Sequence, residues 1–144
     1  MLVPHPVGIP LPAPSLMTQP FWDACARGEL IYQTCHDCGR ANFDPQPVCR
    51  HCRSEALSWK ASDGTGSVFS WSVVWRPQSP QFVAPYAPAI VRLDEGYDMV
   101  STIISCEPTD IAAGMRVTVQ FHPIGDGISL PYFAPTTLPH RPRD

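Results

Sequence analysis

Cys35-His36-Asp37-Cys38-Gly39 and Cys49-Arg50-His51-Cys52 are two Cys-x-x-Cys pairs with ten residues between them. Each pair can form a tight knuckle whose two sulfurs point at one spot. Two facing knuckles supply four thiolates, the tetrahedral cage that zinc accepts in a closed structural site. Gly39, directly after the first pair, suits the sharp turn that ends a knuckle, where a residue without Cβ is favoured. Two disulfides or a bound iron are the alternative uses of four such cysteines. Four protein sulfurs leave a zinc ion no open position for water or substrate. The spacing therefore predicts a zinc that holds the fold together and does not react.

The other reactive side chains form no catalytic set. His5 and His140 fall in proline-rich ends, His36 and His51 in the variable positions of the knuckles, and His122 before Pro123 at the close of a strand. Cys25 and Cys106 stand alone and read as small core residues. No serine lies in a nucleophile-elbow motif, and no P-loop or dinucleotide fingerprint is present. Gly64-x-Gly66 lacks a third glycine and precedes a strand, so it reads as a turn. The aromatic residues are a better lead. Trp71, Trp75, Phe82 and Tyr86 surround a proline-rich loop that also holds Arg76. Aromatic and arginine side chains are enriched where proteins dock. Trp75, Arg76, Phe82 and Tyr86 are the candidate partner contacts, with core packing as the other use of such rings.

These residues need elements to hold them. The 144 residues include 18 prolines and a single lysine, Lys60, and carry a formal charge of -3. So much proline works against long helices and favours short strands and turns. A net-acidic chain is a poor binder of nucleic acid, whose affinity comes mainly from Lys and Arg. The start lacks the basic region of a signal peptide, and prolines interrupt every apolar run. These features, with unpaired cysteines, predict a cytoplasmic protein.

Residues 1–17 read as an extended proline-rich tail, either disordered or lying in a groove of a partner. The first is the ordinary use of such a segment; its apolar residues, Leu2, Val3, Val7, Ile9, Leu11 and Leu16, keep the second open. Residues 18–61 read as an N-terminal helix and zinc ribbon. The helix covers Thr18–Gly28, with Thr18 or Gln19 as its cap, Pro20 in its first turn and Gly28 as its stop. Short strands at Leu30–Thr34 and Ala56–Ala61 enter and leave the knuckles. Residues 62–134 read as a barrel. Its strands are Ser67–Trp75, Ala87–Leu93, Met99–Cys106, Met115–Phe121 and Ile128–Phe133. Met115, Val117, Val119 and Phe121 alternate with Arg116, Thr118 and Gln120, the period of a half-buried strand. Five antiparallel strands with a link between the third and fourth suggest a small closed OB barrel. The fold class is thus mainly β, and residues 135–144 form a polar C-terminal tail.

This order of elements resembles the family of small acyl-CoA-associated proteins in which a rubredoxin-like zinc ribbon precedes an OB-fold. The matching features begin with Phe21-Trp22, Gly28-Glu29-Leu30, the two cysteine pairs, and Phe43 and Pro45. They continue with Gly64-Thr65-Gly66-Ser67-Val68, Pro85-Tyr86, Val91-x-Leu93-Asp94-Glu95-Gly96, Gly114-Met115-x-Val117 and Leu130-Pro131-x-Phe133. Two features depart from it. Asp44-Pro45-Gln46-Pro47 stands where a Pro-Pro-Arg run is usual, and His51 stands where a proline is common. The resemblance implies a structural Zn²⁺ on Cys35, Cys38, Cys49 and Cys52. It implies a non-catalytic subunit that partners a thiolase-like enzyme, an acyltransferase, a side-chain-cleaving aldolase or an enoyl-CoA hydratase. Lipid or steroid degradation is the implied setting, with acyl-CoA at a shared site. Arg40, Arg50, Arg53 and Lys60 could then meet a CoA phosphate, although Asp37, Asp44 and Glu55 among them make an ordinary solvated surface. A single-stranded nucleic-acid-binding module and an iron-bearing electron carrier are the competing readings.

Overall fold

The computed structural model describes residues 1–136. The helix, α1, spans Gln19–Ala26. Pro20 fits its first turn, where an amide hydrogen would be unpaired anyway. Thr18 holds the cap position but makes no capping bond. Its hydroxyl is turned back to accept the Ser15 amide at 2.8 Å. The C-terminus closes as a Schellman motif. Gly28 takes φ +78°, and the amides of Gly28 and Glu29 reach the carbonyls of Cys25 and Ala24. Phe21, Ala24 and Cys25 form the buried face of α1.

Strands β1 (Ile31–Cys35), β2 (Ala41–Asn42) and β3 (Leu57–Ala61) make an antiparallel sheet in the order β2-β1-β3. The two-residue β2 was not expected, because nothing so short shows a period. The barrel follows. Its strands are β4 (Thr65–Trp71), β5 (Ala87–Leu93), β6 (Asp98–Ile103), β7 (Arg116–Gly125) and β8 (Ile128–Pro135). They close in the order β4-β5-β6-β8-β7, with β7 back against β4. A 3₁₀ turn at Pro108–Asp110 links the third and fourth strands. This is the expected mainly β architecture, with a five-stranded OB barrel, except that β6 and β8 pair in parallel where antiparallel strands were expected. β5 shows the logic well: Ala87, Ala89, Val91 and Leu93 are buried while Pro88, Ile90 and Arg92 face outward. Glycine at position 66 is dictated by closure, since a Cβ there would collide with the Arg92 carbonyl on the neighbouring strand.

Several boundaries differ from the sequence reading. β4 stops at Trp71, and Val74 makes only a single bridge to Tyr86. β6 ends before Cys106. β7 runs through His122 and Pro123, so His122 lies within a strand. Pro123 is tolerated there because the ladder with β8 shifts register between Pro123 and Gly125. The largest difference is the N-terminal segment, which lies along its own barrel. Leu2 and Ile9 are buried. The Leu2 amide donates to the Cys106 carbonyl at 2.8 Å, and its carbonyl accepts the Ser105 amide at 2.9 Å. Burial of those apolar side chains outweighs the freedom of a loose tail. Of the expected C-terminal tail, residues 137–144, with His140, lie outside the described residues. Among the described residues no helix is long and apolar enough to cross a membrane.

The barrel core holds Val68, Val91, Leu93, Ile103, Val117 and Phe133. A chain of rings joins it to the ribbon. Tyr97, on the turn between β5 and β6, stacks on Tyr32 at 4.8 Å and on Phe43 at 5.4 Å. Phe43 meets Phe21 of α1 edge-on at 5.4 Å. Helix, ribbon and barrel are thereby packed through one aromatic seam.

Candidate metal centre and docking surface

Each knuckle is built on one backbone bond. The Gly39 amide reaches the Cys35 carbonyl and the Arg53 amide reaches the Cys49 carbonyl, both at 2.8 Å. Both turns end in a left-handed residue, Gly39 at φ +74° and Arg53 at φ +65°. The second knuckle therefore adopts a conformation that its arginine does not favour. The four cysteine sulfurs lie within 4.8 Å of one another. Cys35 and Cys52 are 3.5 Å apart, and Cys38 and Cys49 are 3.7 Å apart. Those separations exceed the disulfide bond length of about 2.05 Å. They match the edge of about 3.8 Å in a tetrahedron with metal–sulfur bonds near 2.3 Å. The all-sulfur set therefore fits a zinc ion held without an open position.

The electrostatics point the same way. Burial opposes ionisation of Cys49, yet N–H donors from Cys52, Asn42 and His51 pull its thiol down to about 6. The Ser54 amide favours the Cys52 thiolate, but burial and the three neighbouring sulfurs push Cys52 up to about 12. Four sulfurs this close cannot all ionise unless a cation neutralises them. His36 and His51 point outward. His36 Nε2 is 2.8 Å from the Ser58 hydroxyl, and His51 donates toward the Ala41 carbonyl.

The candidate contact residues separate into two pairs. Trp75 is 66% exposed and Arg76 is exposed beside it. Phe82 and Tyr86 are half-buried, because both rings pack edge-on against His5 at 5.2 and 4.8 Å. The His5 amide also donates to the Tyr132 hydroxyl at 3.1 Å, and burial lowers the His5 pKa. The arm thus clamps the loop through a histidine that sequence reasoning left in a tail. His122, within β7, packs edge-on against Tyr132 at 5.5 Å. Burial pushes the Cys25 thiol up to about 12, which suits a core residue.

Two apolar features were not foreseen. A groove of about 430 Å³ opens between α1, the ribbon and the barrel, walled by Phe21, Trp22, Phe43, Met99, Pro131 and Tyr132. Beside it, the outer face of β4, β5 and β6 shows Trp71, Pro88, Ile90 and Val100, the last 74% exposed. The odd positions of β5 and β6 were legible as core. The available signal was that Ile90 and Val100, at outward positions of β5 and β6, are apolar and pair across the two strands. Such an apolar pair on the solvent side of a barrel makes this face a candidate docking surface. Arg92 covers the neighbouring Phe69 ring at 4.4 Å and pairs with Asp98, so charge borders this face without entering it.

Comparison with known proteins matches both halves. Residues 22–58 fit the model of the ChsH2 rubredoxin-like zinc ribbon domain, and residues 59–122 that of the ChsH2 C-terminal OB-fold domain. A DUF35 domain-containing scaffold protein of Methanocaldococcus jannaschii is 37% identical over 98 residues, 66% of this chain and 69% of that protein. A probable enoyl-CoA hydratase alpha subunit of Thermomonospora curvata is 34% identical over 116 residues, 80% of this chain. This chain spans only 36% of that subunit's length. Among solved structures, a chain described as the Ltp2-ChsH2(DUF35) aldolase superposes with a TM-score of 0.79 at 31% identity. The match covers 87% of this chain and 98% of that one.

Proposed function

We propose, on the premise that this chain belongs to the DUF35 family of paired zinc-ribbon and OB-fold proteins, that it is a non-catalytic accessory subunit of an acyl-CoA enzyme. The partner is a thiolase-like condensing enzyme, acyltransferase or aldolase, or an enoyl-CoA hydratase. The observation that carries this reading is the likeness to a chain of the Ltp2-ChsH2(DUF35) aldolase along nearly its whole length. Relatives described as a scaffold protein and as a hydratase alpha subunit support it from sequence. Cys35, Cys38, Cys49 and Cys52 are the proposed ligands of a structural Zn²⁺. That ion would brace the ribbon, since the set offers no site for a reacting molecule.

The proposed contact surface is the uncharged face of Trp71, Pro88, Ile90 and Val100, extended by Trp75 and Arg76. A phosphate backbone would require a basic surface. An apolar protein face would not, and this fits the catalytic subunit as occupant. Phe82 and Tyr86 support the loop from behind. The residue boundaries 1–17, 18–61 and 62–134 serve as a working division, with the first segment part of the barrel's surface.

Co-expression with a thiolase-like enzyme or an enoyl-CoA hydratase from the same source tests the proposal. The two proteins elute together, and enzyme turnover on acyl-CoA depends on the chain. Trp75→Ala weakens the complex while leaving the melting temperature of the isolated chain unchanged. Separate elution with unaltered enzyme activity would remove the support for this reading.

A further inference from the structure

We infer that Asn42 is a positioning residue that ties the sulfur cage to the wall of the groove, so that metal occupancy and groove shape depend on each other. At 1% exposure, Asn42 is the most deeply buried polar side chain among the described residues. Its Oδ1 accepts the Arg50 amide at 3.0 Å. Its Nδ2 donates to the Arg40 carbonyl at 3.4 Å and to Cys49 Sγ at 3.5 Å. One carboxamide therefore holds the exit of the first knuckle, the backbone of the second and a sulfur.

The next residue carries this order outward. Phe43 stacks on Tyr97 and, with Asp44 and Pro45, walls the groove. Strand β2 pairs at only two positions, Gln33↔Asn42 and Thr34↔Ala41, too few to fix that wall alone. The far end is hung on Gln33, whose Oε1 accepts the Gln46 amide at 3.0 Å. The wall thus spans from Asn42 to Gln46.

Four thiolates around a dication keep a net charge of about −2, and N–H donors aimed at sulfur offset it. Groups that orient metal ligands in this way change affinity by about 10–100-fold when altered. Coupling of this kind is reciprocal: what holds the wall through the metal also holds the metal through the wall. None of this depends on which enzyme the chain partners.

Asn42→Asp isolates the donor. It keeps the shape and the acceptor for Arg50, removes the N–H, and sets a carboxylate beside Cys49. In cobalt(II)-loaded protein the sulfur-to-cobalt charge-transfer band moves to longer wavelength, because an unbonded thiolate gives up its electron more easily. Release of cobalt to a chelator accelerates by about 10–100-fold, and hydrogen exchange at residues 43–46 quickens with the metal still bound. Asn42→Ala gives the same directions without the added charge. A second reading needs no variant: chelation of the wild-type chain quickens exchange at residues 43–46 while β5 and β6 keep their protection. An unshifted band with wild-type release rates, or residues 43–46 indifferent to metal removal, overturns the inference.

Discussion

The ribbon and the barrel solve the problem of staying folded in different ways. The barrel closes its own sheet and fills it with Val91, Leu93, Ile103, Val117 and Phe133, all nearly inaccessible. The ribbon has a three-stranded sheet with one strand of two residues, and its buried side chains are chiefly Tyr32, Gln33, Asn42 and two cysteines. It cannot cohere by apolar burial alone, and a bound ion supplies what its core lacks. The part that looks most chemical, the sulfur cage, is thus scaffolding. The part that looks like plain scaffolding, the outside of the barrel, carries the surface we propose for a partner.

The strongest way to break this contrast is to remove the ion. Metal binding contributes roughly 10–16 kcal/mol in small zinc domains, so Cys52→Ser or chelation should unfold residues 31–61. Circular dichroism with metal analysis reads the result, and unchanged melting would contradict it. Because the ligands bind as thiolates, acid should also release the ion, with metal content falling as pH drops through the range where the cysteines take up protons.

Next comes the barrel. Phe133→Ala should cost about 3–5 kcal/mol by opening a cavity, read in denaturant, and the protein that remains folded should still bind one metal. Loss of metal in parallel would show that the two regions do not hold themselves separately.

The seam between them gives a smaller effect. Among the described residues the buried Tyr97 hydroxyl has no partner within hydrogen-bond geometry, and such a group costs about 1–3 kcal/mol. Tyr97→Phe should therefore melt at the same temperature or higher, whereas Tyr97→Ala should be strongly destabilised through loss of the ring stack. A destabilised phenylalanine variant would show the hydroxyl, not the ring, to be the joint.

The smallest effect is expected on the barrel surface. Arg116 binds Asp94 through a hydrogen bond and holds its carboxyl below the ordinary value. The folded state thus favours the carboxylate. The stabilisation is present above the unfolded value, near 3.9, and fades as pH falls through the lowered one. Both side chains are about half exposed, so water screens the pair. Asp94→Asn should change melting at pH 7 only slightly and flatten its fall below about pH 4.

The cysteine pairs, Gly39 and the barrel strands were legible because each is a local rule: ligand spacing, a left-handed turn, a period of two. The packing of residues 1–17 was not. A proline-rich segment reads alike whether it floats or lies against a surface, and its six apolar residues did not single out Leu2 and Ile9 as the two that are buried. His5 looked idle for the same reason, since the rings it meets are some 80 residues away. Asn42 was missed because an asparagine between Ala41 and Phe43 reads as a turn residue. Its three bonds exist only once the knuckles face each other. The proposed docking face was half visible: Trp75 and Arg76 were picked out, but Ile90 and Val100 become neighbours only when β5 pairs with β6.

Hydrogen exchange on the metal-loaded chain, alone and with the acyl-CoA enzyme proposed as its partner, tests the central claim most directly. The account predicts slowed exchange across β4–β6 and the loop of Trp75 and Arg76 when the enzyme is present. An exchange pattern that is the same with saturating enzyme as without it would contradict the claim.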